Sequence, residues 1–245
     1  MAFLYIVSAM FMFLIFIALI VLMGKHIYEI HNYNNDVVLE QLQSANKDDI
    51  FEKIKERKPL LIHNLGSKNE DFVNMTFDSL IKSNPGHIIY DNDKFIALRS
   101  FRDDDVRQMS IYKNPTLCSQ FSLKSGYDEV YERFKSNIHC NVNYYLSLSL
   151  GSNAISLQKN KHNLHVIHQI SGQSNVYIFN PKHAEDIYGK MNSEIKKYGQ
   201  KIAMTPGIVV YIPVEWYYFY EMDGESIIGE IEADNYFTAL YNYVR

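Results

Sequence analysis

Three hydrophobic patterns follow one another along the chain. From Ala2 to Met23 it reads AFLYIVSAMFMFLIFIALIVLM, with no charge and no proline. About 20 apolar residues rising ~1.5 Å each cross a hydrocarbon core ~30 Å thick. A helix apolar on every face suits lipid better than a protein core. A cleaved leader would need a basic start, a shorter apolar run and a small-residue cleavage site; Met-Ala at the start and Leu22-Met23-Gly24-Lys25 at the end supply none of these. Residues 1–24 are therefore predicted to be a single transmembrane anchor.

The second pattern is loosely helical. Ile27, Ile30, Val37, Val38, Leu39 and Leu42 predict a juxtamembrane helical stalk over residues 25–57. Asn46 caps its last helix, with Asp48 and Asp49 in the first turn. Ile50, Phe51 and Ile54 form an apolar face there, and Lys58-Pro59 stops it. Residues 58–245 are read as one domain. It opens on a short strand (Pro59–Asn64), a helix over Thr76–Ser83 closed by Asn84-Pro85-Gly86, and strands at His87–Tyr90, Phe95–Ser100 and Met109–Tyr112. An amphipathic helix follows over Tyr127–Ser136, with Tyr127, Val130, Tyr131 and Phe134 on one side.

The third pattern has period two. Strands are predicted at Tyr144–Leu150, Leu164–Ile170, Asn175–Phe179, Lys201–Ala203, Ile208–Ile212, Tyr217–Glu221, Ser226–Glu232 and Tyr236–Tyr243. Turn signals separate them, among them Ser171-Gly172, Pro206-Gly207 and Asp223-Gly224. Many short strands at near-regular spacing predict a mainly β sandwich or barrel with flanking helices.

Composition narrows the partners. Of 245 residues, 24 are Lys or Arg and 28 Asp or Glu, a formal charge of −4. That balance argues against a protein held to nucleic acid by phosphate contacts. Only Cys118 and Cys140 are present, which excludes a four-cysteine zinc site and leaves one disulfide or two free thiols open. By the positive-inside rule, Lys25 favours a cytoplasmic C-terminal domain. Asn74-Met75-Thr76 would be a glycan acceptor were the domain lumenal.

Four segments in order resemble the cupin-like JmjC family: Lys58-Pro59-Leu60-Leu61-Ile62-His63-Asn64; Asn163 through Gly172; Val176-Tyr177-Ile178-Phe179-Asn180-Pro181; and Pro206-Gly207-Ile208-Val209-Val210-Tyr211-Ile212-Pro213 leading to Trp216. The resemblance runs from about Lys58 to the C-terminus. It implies a jelly-roll-type double-stranded β-helix, a fold that usually holds iron and 2-oxoglutarate. Tethered JmjC-like proteins of this size also resemble ones encoded by large DNA viruses, which implies a host or virion membrane.

The ligands that the resemblance calls for are missing. An iron oxygenase needs two histidines and a carboxylate facing one metal. Gln158 and Asn160, or in a shifted alignment Lys159 and Lys161, stand in the first two places, and Tyr218 stands in the third. No Asp or Glu occurs from Gly151 to Gly172, and Gln173-Ser174 stands where a co-substrate-binding base often follows the glycine. Gln158, Asn160 and Tyr218 are thus expected to line a vacant pocket, with no metal, no cofactor and no catalytic residue.

Other constellations are weaker. On a strand, His165 would face away from His162 and His168, so the three suit surface or pocket positions more than a metal site. Glu230 and Glu232 fit a half-solvated strand, and Glu215, Glu221 and Glu225 an exposed strand end. Cys118 has no nucleophile-elbow context. Asp103-Asp104-Asp105 lacks the glycine and distal glutamate of a calcium loop and reads as a solvated turn. The expected protein is a single-pass, membrane-anchored, catalytically inert binding or structural domain with a protein partner. Two alternatives stand beside it: an oxygenase with ligands such as His162 and His168 plus a carboxylate from another strand, and a polar-ligand module using Gln158, Asn160, Tyr218 and Tyr220.

Overall fold

A computed structural model describes residues 2–32, 39–43, 46–65, 70–91, 94–102, 110–121 and 123–244. The chain is a mixed helix and sheet protein with a large sheet and a long N-terminal apolar helix. Helix α1 (Ala2–His31) runs unbroken through Gly24. Next come β1 (Glu40–Leu42), α2 (Lys47–Lys55), β2 (Leu60–Ile62), α3 (Glu70–Val73), α4 (Phe77–Ser83), β3 (Ile88–Asp91) and β4 (Lys94–Ala97). Strand β5 (Ser110–Asn114), α5 (Leu117–Gln120), α6 (Lys124–Glu132), β6 (His139–Ser149), β7 (Asn153–Ala154), β8 (Gln158–Lys159) and β9 (Leu164–Phe179) follow. The chain ends with α7 (Ala184–Ile187), α8 (Asn192–Ile195), β10 (Gln200–Met204), β11 (Val209–Tyr211), β12 (Tyr217–Asn235) and α9 (Tyr236–Val244).

Local chemistry accounts for several boundaries. The Asn46 side chain accepts a hydrogen bond from the Asp49 amide at 2.9 Å, fixing the start of α2. At α4, Thr76 and Ser79 satisfy each other's backbone amides reciprocally.

The large sheet has ten strands, with path β1-β2-β11-β9-β12-β6-β5; β10 joins β9, and β7 and β8 join β12. Strands β9 and β12 pair from Phe179↔Tyr217 down to Leu164↔Ala233, with a register break between Asp223 and Ile227. There the backbone turns at two glycines of positive φ, Gly172 (+75°) and Gly224 (+64°). An ideal Cβ on Gly172 would lie 1.9 Å from the Glu225 carbonyl oxygen, so this corner requires glycine. Each long strand thereby folds over, and its two halves meet: the Tyr220 hydroxyl donates to Glu230 at 2.9 Å.

Two apolar clusters lie on the two sides of the sheet. One gathers Phe72, Phe77, Tyr127, Val130 and Phe134 from the helical side against Leu146, Leu148, Val166 and Ile231. The other lies between the folded halves, with Ile167, Val176, Ile178, Trp216, Tyr218, Tyr220 and Ile228.

Three expectations need correction. The 25–57 segment is not helical throughout: α1 continues to His31 and α2 is a helix, but between them Glu40–Leu42 is a strand paired in parallel with Leu60–Ile62 and so joins the sheet. Tyr236–Tyr243 is a helix, not a strand. The Asn235 side chain accepts from the Thr238 amide at 2.8 Å and starts α9, overriding the β propensity of its tyrosines. The strands expected separately at Leu164–Ile170 and Asn175–Phe179 are one element, as are Tyr217–Glu221 and Ser226–Glu232. The Asp103-Asp104-Asp105 turn, together with Val37, Val38 and Met109, lies outside the described residues.

One helix among the described residues is long and apolar enough to span a membrane, Tyr5–His31, with mean hydropathy 3.0. Its last turns dock on the folded region. Ile30 is buried, His26 Nε2 lies 2.9 Å from Thr238 Oγ1, and Arg57 pairs with Glu29 at 3.5 Å.

Candidate functional site

Between the folded halves of the sheet sits a buried charged cluster. It begins with an irregularity in β5, where pairing with β6 shifts between Ile111 and Asn114. Lys113 occupies this bulge in a left-handed conformation (φ +44°). A bulge re-aims a side chain across the sheet, and here it sends the Lys113 ammonium inward. Its Nζ lies 2.5 Å from Glu232 Oε1 and 3.6 Å from Glu230 Oε2. It also donates to the Tyr218 hydroxyl at 3.3 Å and lies 5.3 Å from the centre of the Tyr145 ring.

Both carboxylates are held from several sides. Glu230 is fully buried and accepts from His165 Nε2 at 2.9 Å and from Tyr220 at 2.9 Å. Ser147 Oγ lies 2.8 Å from the Tyr220 hydroxyl and accepts the Lys113 amide at 2.9 Å, closing the network. Glu232 faces His162 Nε2 at 3.1 Å, while His162 Nδ1 meets Asp234 at 3.0 Å.

The titration directions follow from this crowding. Burial alone would raise Glu230, but the Lys113 charge, then the His165 and Tyr220 bonds, outweigh it and hold the carboxyl below its ordinary value. Burial would lower Lys113, yet Glu230 and Glu232 outweigh that and hold the ammonium above its ordinary value. His162 is likewise raised: Asp234 and Glu232 overcome its desolvation. The cluster therefore carries its own cations against its own anions.

The residues predicted to line a vacant pocket are only partly gathered here. Tyr218 and Gln158 do meet, with the Tyr218 hydroxyl donating to Gln158 Oε1 at 2.9 Å. Asn160 is turned aside: its amide nitrogen donates to the Ile212 and His162 carbonyls at 2.8 and 3.1 Å, and its oxygen accepts the His162 amide at 2.8 Å. That side chain holds a loop together and presents nothing to a ligand. An amide, a phenol and a backbone-bound amide do not make the donor set of a facial iron site, so the implied metal does not fit those positions.

The carboxylates and the lysine were not foreseen as a site. Glu230 and Glu232, expected on a half-solvated face, both point into the interior. Glu215, expected at an exposed end, is buried and paired with Lys159, while Glu221 stays partly exposed, paired with Lys196 at 2.8 Å. His165 and His168 do face opposite ways. His162, however, joins the side of His165, because β9 begins only at Leu164 and strand alternation does not extend back to it. The only advance signal for Lys113 is a lysine directly after the apolar pair Ile111-Tyr112.

His165, Glu230 and Glu232 each offer one ligand atom, all within 4.8 Å of one another. That donor set suits a divalent cation in type, but the Lys113 ammonium stands among the same carboxylates. Cys118 and Cys140 are both free, and burial pushes the Cys118 thiol up to about 12, which keeps it unreactive. No family model matches this chain, and no curated protein matches it.

Proposed function

We propose that this chain is a single-pass membrane protein presenting a catalytically inert, cupin- or JmjC-like double-stranded β-helix that serves binding or assembly. The observation that carries this reading is the Lys113 ammonium, seated between Glu230 and Glu232 where the two sheet halves face each other. A fixed cation from the chain itself balances the carboxylates that a metal would otherwise be needed to balance. The apolar run of α1, residues 2–23, supports the anchor, and Lys25 just past that run favours a cytoplasmic domain. A protein partner fits better than nucleic acid, given a charge of −4. A virion or host membrane of a large DNA virus is the setting that the resemblance suggests.

A second reading rests on the convergence of His165, Glu230 and Glu232: an oxygenase with unusual ligands. Metal content separates the two. Full-length protein in detergent is equilibrated anaerobically with Fe(II), desalted and assayed for iron, beside a Lys113→Met variant. Inert scaffolding predicts far less than one iron per wild-type chain and a gain in the variant. One retained iron per wild-type chain, with 2-oxoglutarate turnover, establishes the second reading instead.

A further inference from the structure

The base of α1 forms one wall of a cleft of about 800 Å³, whose lining includes His26, Glu29, Lys55, Arg57, Tyr211 and Phe237. Its position relative to the bilayer follows from helix geometry. The apolar run ends at Met23 and the helix continues to His31, so His26 and Glu29 stand about 4.5 and 9 Å beyond the hydrocarbon edge. The headgroup layer on each side is roughly 5–8 Å thick. His26 thus lies within the headgroup layer and Glu29, with Arg57 beside it, at its outer boundary, so the cleft opens outward from headgroup depth.

Arg57 is the chemically distinctive group on its wall. The guanidinium Nη1 is buried and has no hydrogen-bond partner among the described residues. Nη2 makes a single loose contact, 3.5 Å from Glu29. A buried guanidinium N–H without an acceptor is costly, and the backbone at Arg57 is itself held in the left-handed region (φ +54°). The neighbouring carboxylate Glu56 is already engaged, pairing with Lys53 and Lys58, both at 3.1 Å. The planar fork of arginine matches phosphate oxygens in two-point geometry.

We propose that this cleft binds the phosphodiester headgroup of a bilayer phospholipid, with Arg57 as the phosphate-binding residue and Glu29 facing the headgroup's ammonium. The inference depends on α1 lying in a bilayer, and goes beyond the inert-scaffold reading without needing it.

The test uses the full chain in nanodiscs of phosphatidylethanolamine and phosphatidylcholine, released and weighed by native mass spectrometry. Wild type is expected to retain one phospholipid. Arg57→Asn, chosen because asparagine tolerates a left-handed backbone, should reduce retention about tenfold, and Arg57→Lys should reduce it less, because a point charge replaces the fork. Co-flotation of each variant with vesicles shows that the anchor is still inserted, which separates loss of the headgroup site from loss of the membrane reading; circular dichroism shows that each is folded. Equal retention by wild type and Arg57→Asn overturns the proposal. So does an adduct of inorganic phosphate mass in place of lipid when phosphate is added to the buffer.

Discussion

His165 and His168 lie three residues apart on β9, and the two sides of the sheet treat them in opposite ways. His165 donates to a buried carboxylate in a network that ends on a lysine. His168 lies on the helical side with its ring 5.6 Å from that of Phe72, and burial lowers its pKa to about 4. Paired charge within an apolar surround holds His165, and packing alone holds His168. Two residues equally buried are therefore held by different physics, and they should respond differently to mutation and to pH.

The largest effect is expected from Lys113→Met, which leaves Glu230 and Glu232 buried without their cation. Removing one partner of such a pair typically costs about 3–5 kcal/mol, readable by urea unfolding at pH 7. The sign with pH is fixed. In wild type the Glu230 carboxyl is held low, so its contribution is complete above the unfolded carboxyl pKa and is lost as pH falls through the folded value. Without the ammonium, burial raises the same carboxyl, so the variant's deficit should shrink as the solution is acidified. A deficit independent of pH would mean that Lys113 acts by packing alone.

Ile231 lies between the two glutamates on β12 but points to the helical side. Ile231→Ala should cost about 2–5 kcal/mol through transfer and cavity terms, and that loss should not vary between pH 5 and 8. The same loss changing with pH would break the proposed division between the faces.

His168 gives the narrowest test. Its folded pKa of about 4 lies below the unfolded value near 6.5, so the unfolded chain binds the proton first. Stability from keeping it neutral is complete above about pH 6.5 and is lost as pH falls toward 4, about 3 kcal/mol in all. His168→Leu should flatten that part of the pH–stability curve. An unchanged curve would show that His168 is already solvated.

These two faces also show how far the sequence could be read. The long apolar helix α1, α2 and α4 were legible because their signals are local: an unbroken apolar run, the side-chain cap at Asn46, and the Asn84-Pro85-Gly86 stop after α4. Period-two patterning located β6 and β9 to β12, the centre of the sheet. It could say that Glu230 and Glu232 share a face, but not whether that face meets water. That is settled by the corners at Gly172 and Gly224, which fold β9 and β12 over so that their halves enclose the glutamates. Lys113 was hidden for the same reason, since its direction depends on a bulge in the pairing of β5 with β6. The helix at Tyr236–Val244 was missed because its tyrosines read as strand, while its start depends on a single Asn235 cap.

The account stands on Lys113 being the cation of the interior. The most direct measurement is anomalous diffraction from crystals of the full chain grown in a lipidic mesophase and equilibrated with Mn(II). The account predicts Lys113 Nζ in density beside Glu232 and Glu230, with no anomalous peak there. A peak bonded to His165, Glu230 and Glu232, with the lysine turned away, would contradict it.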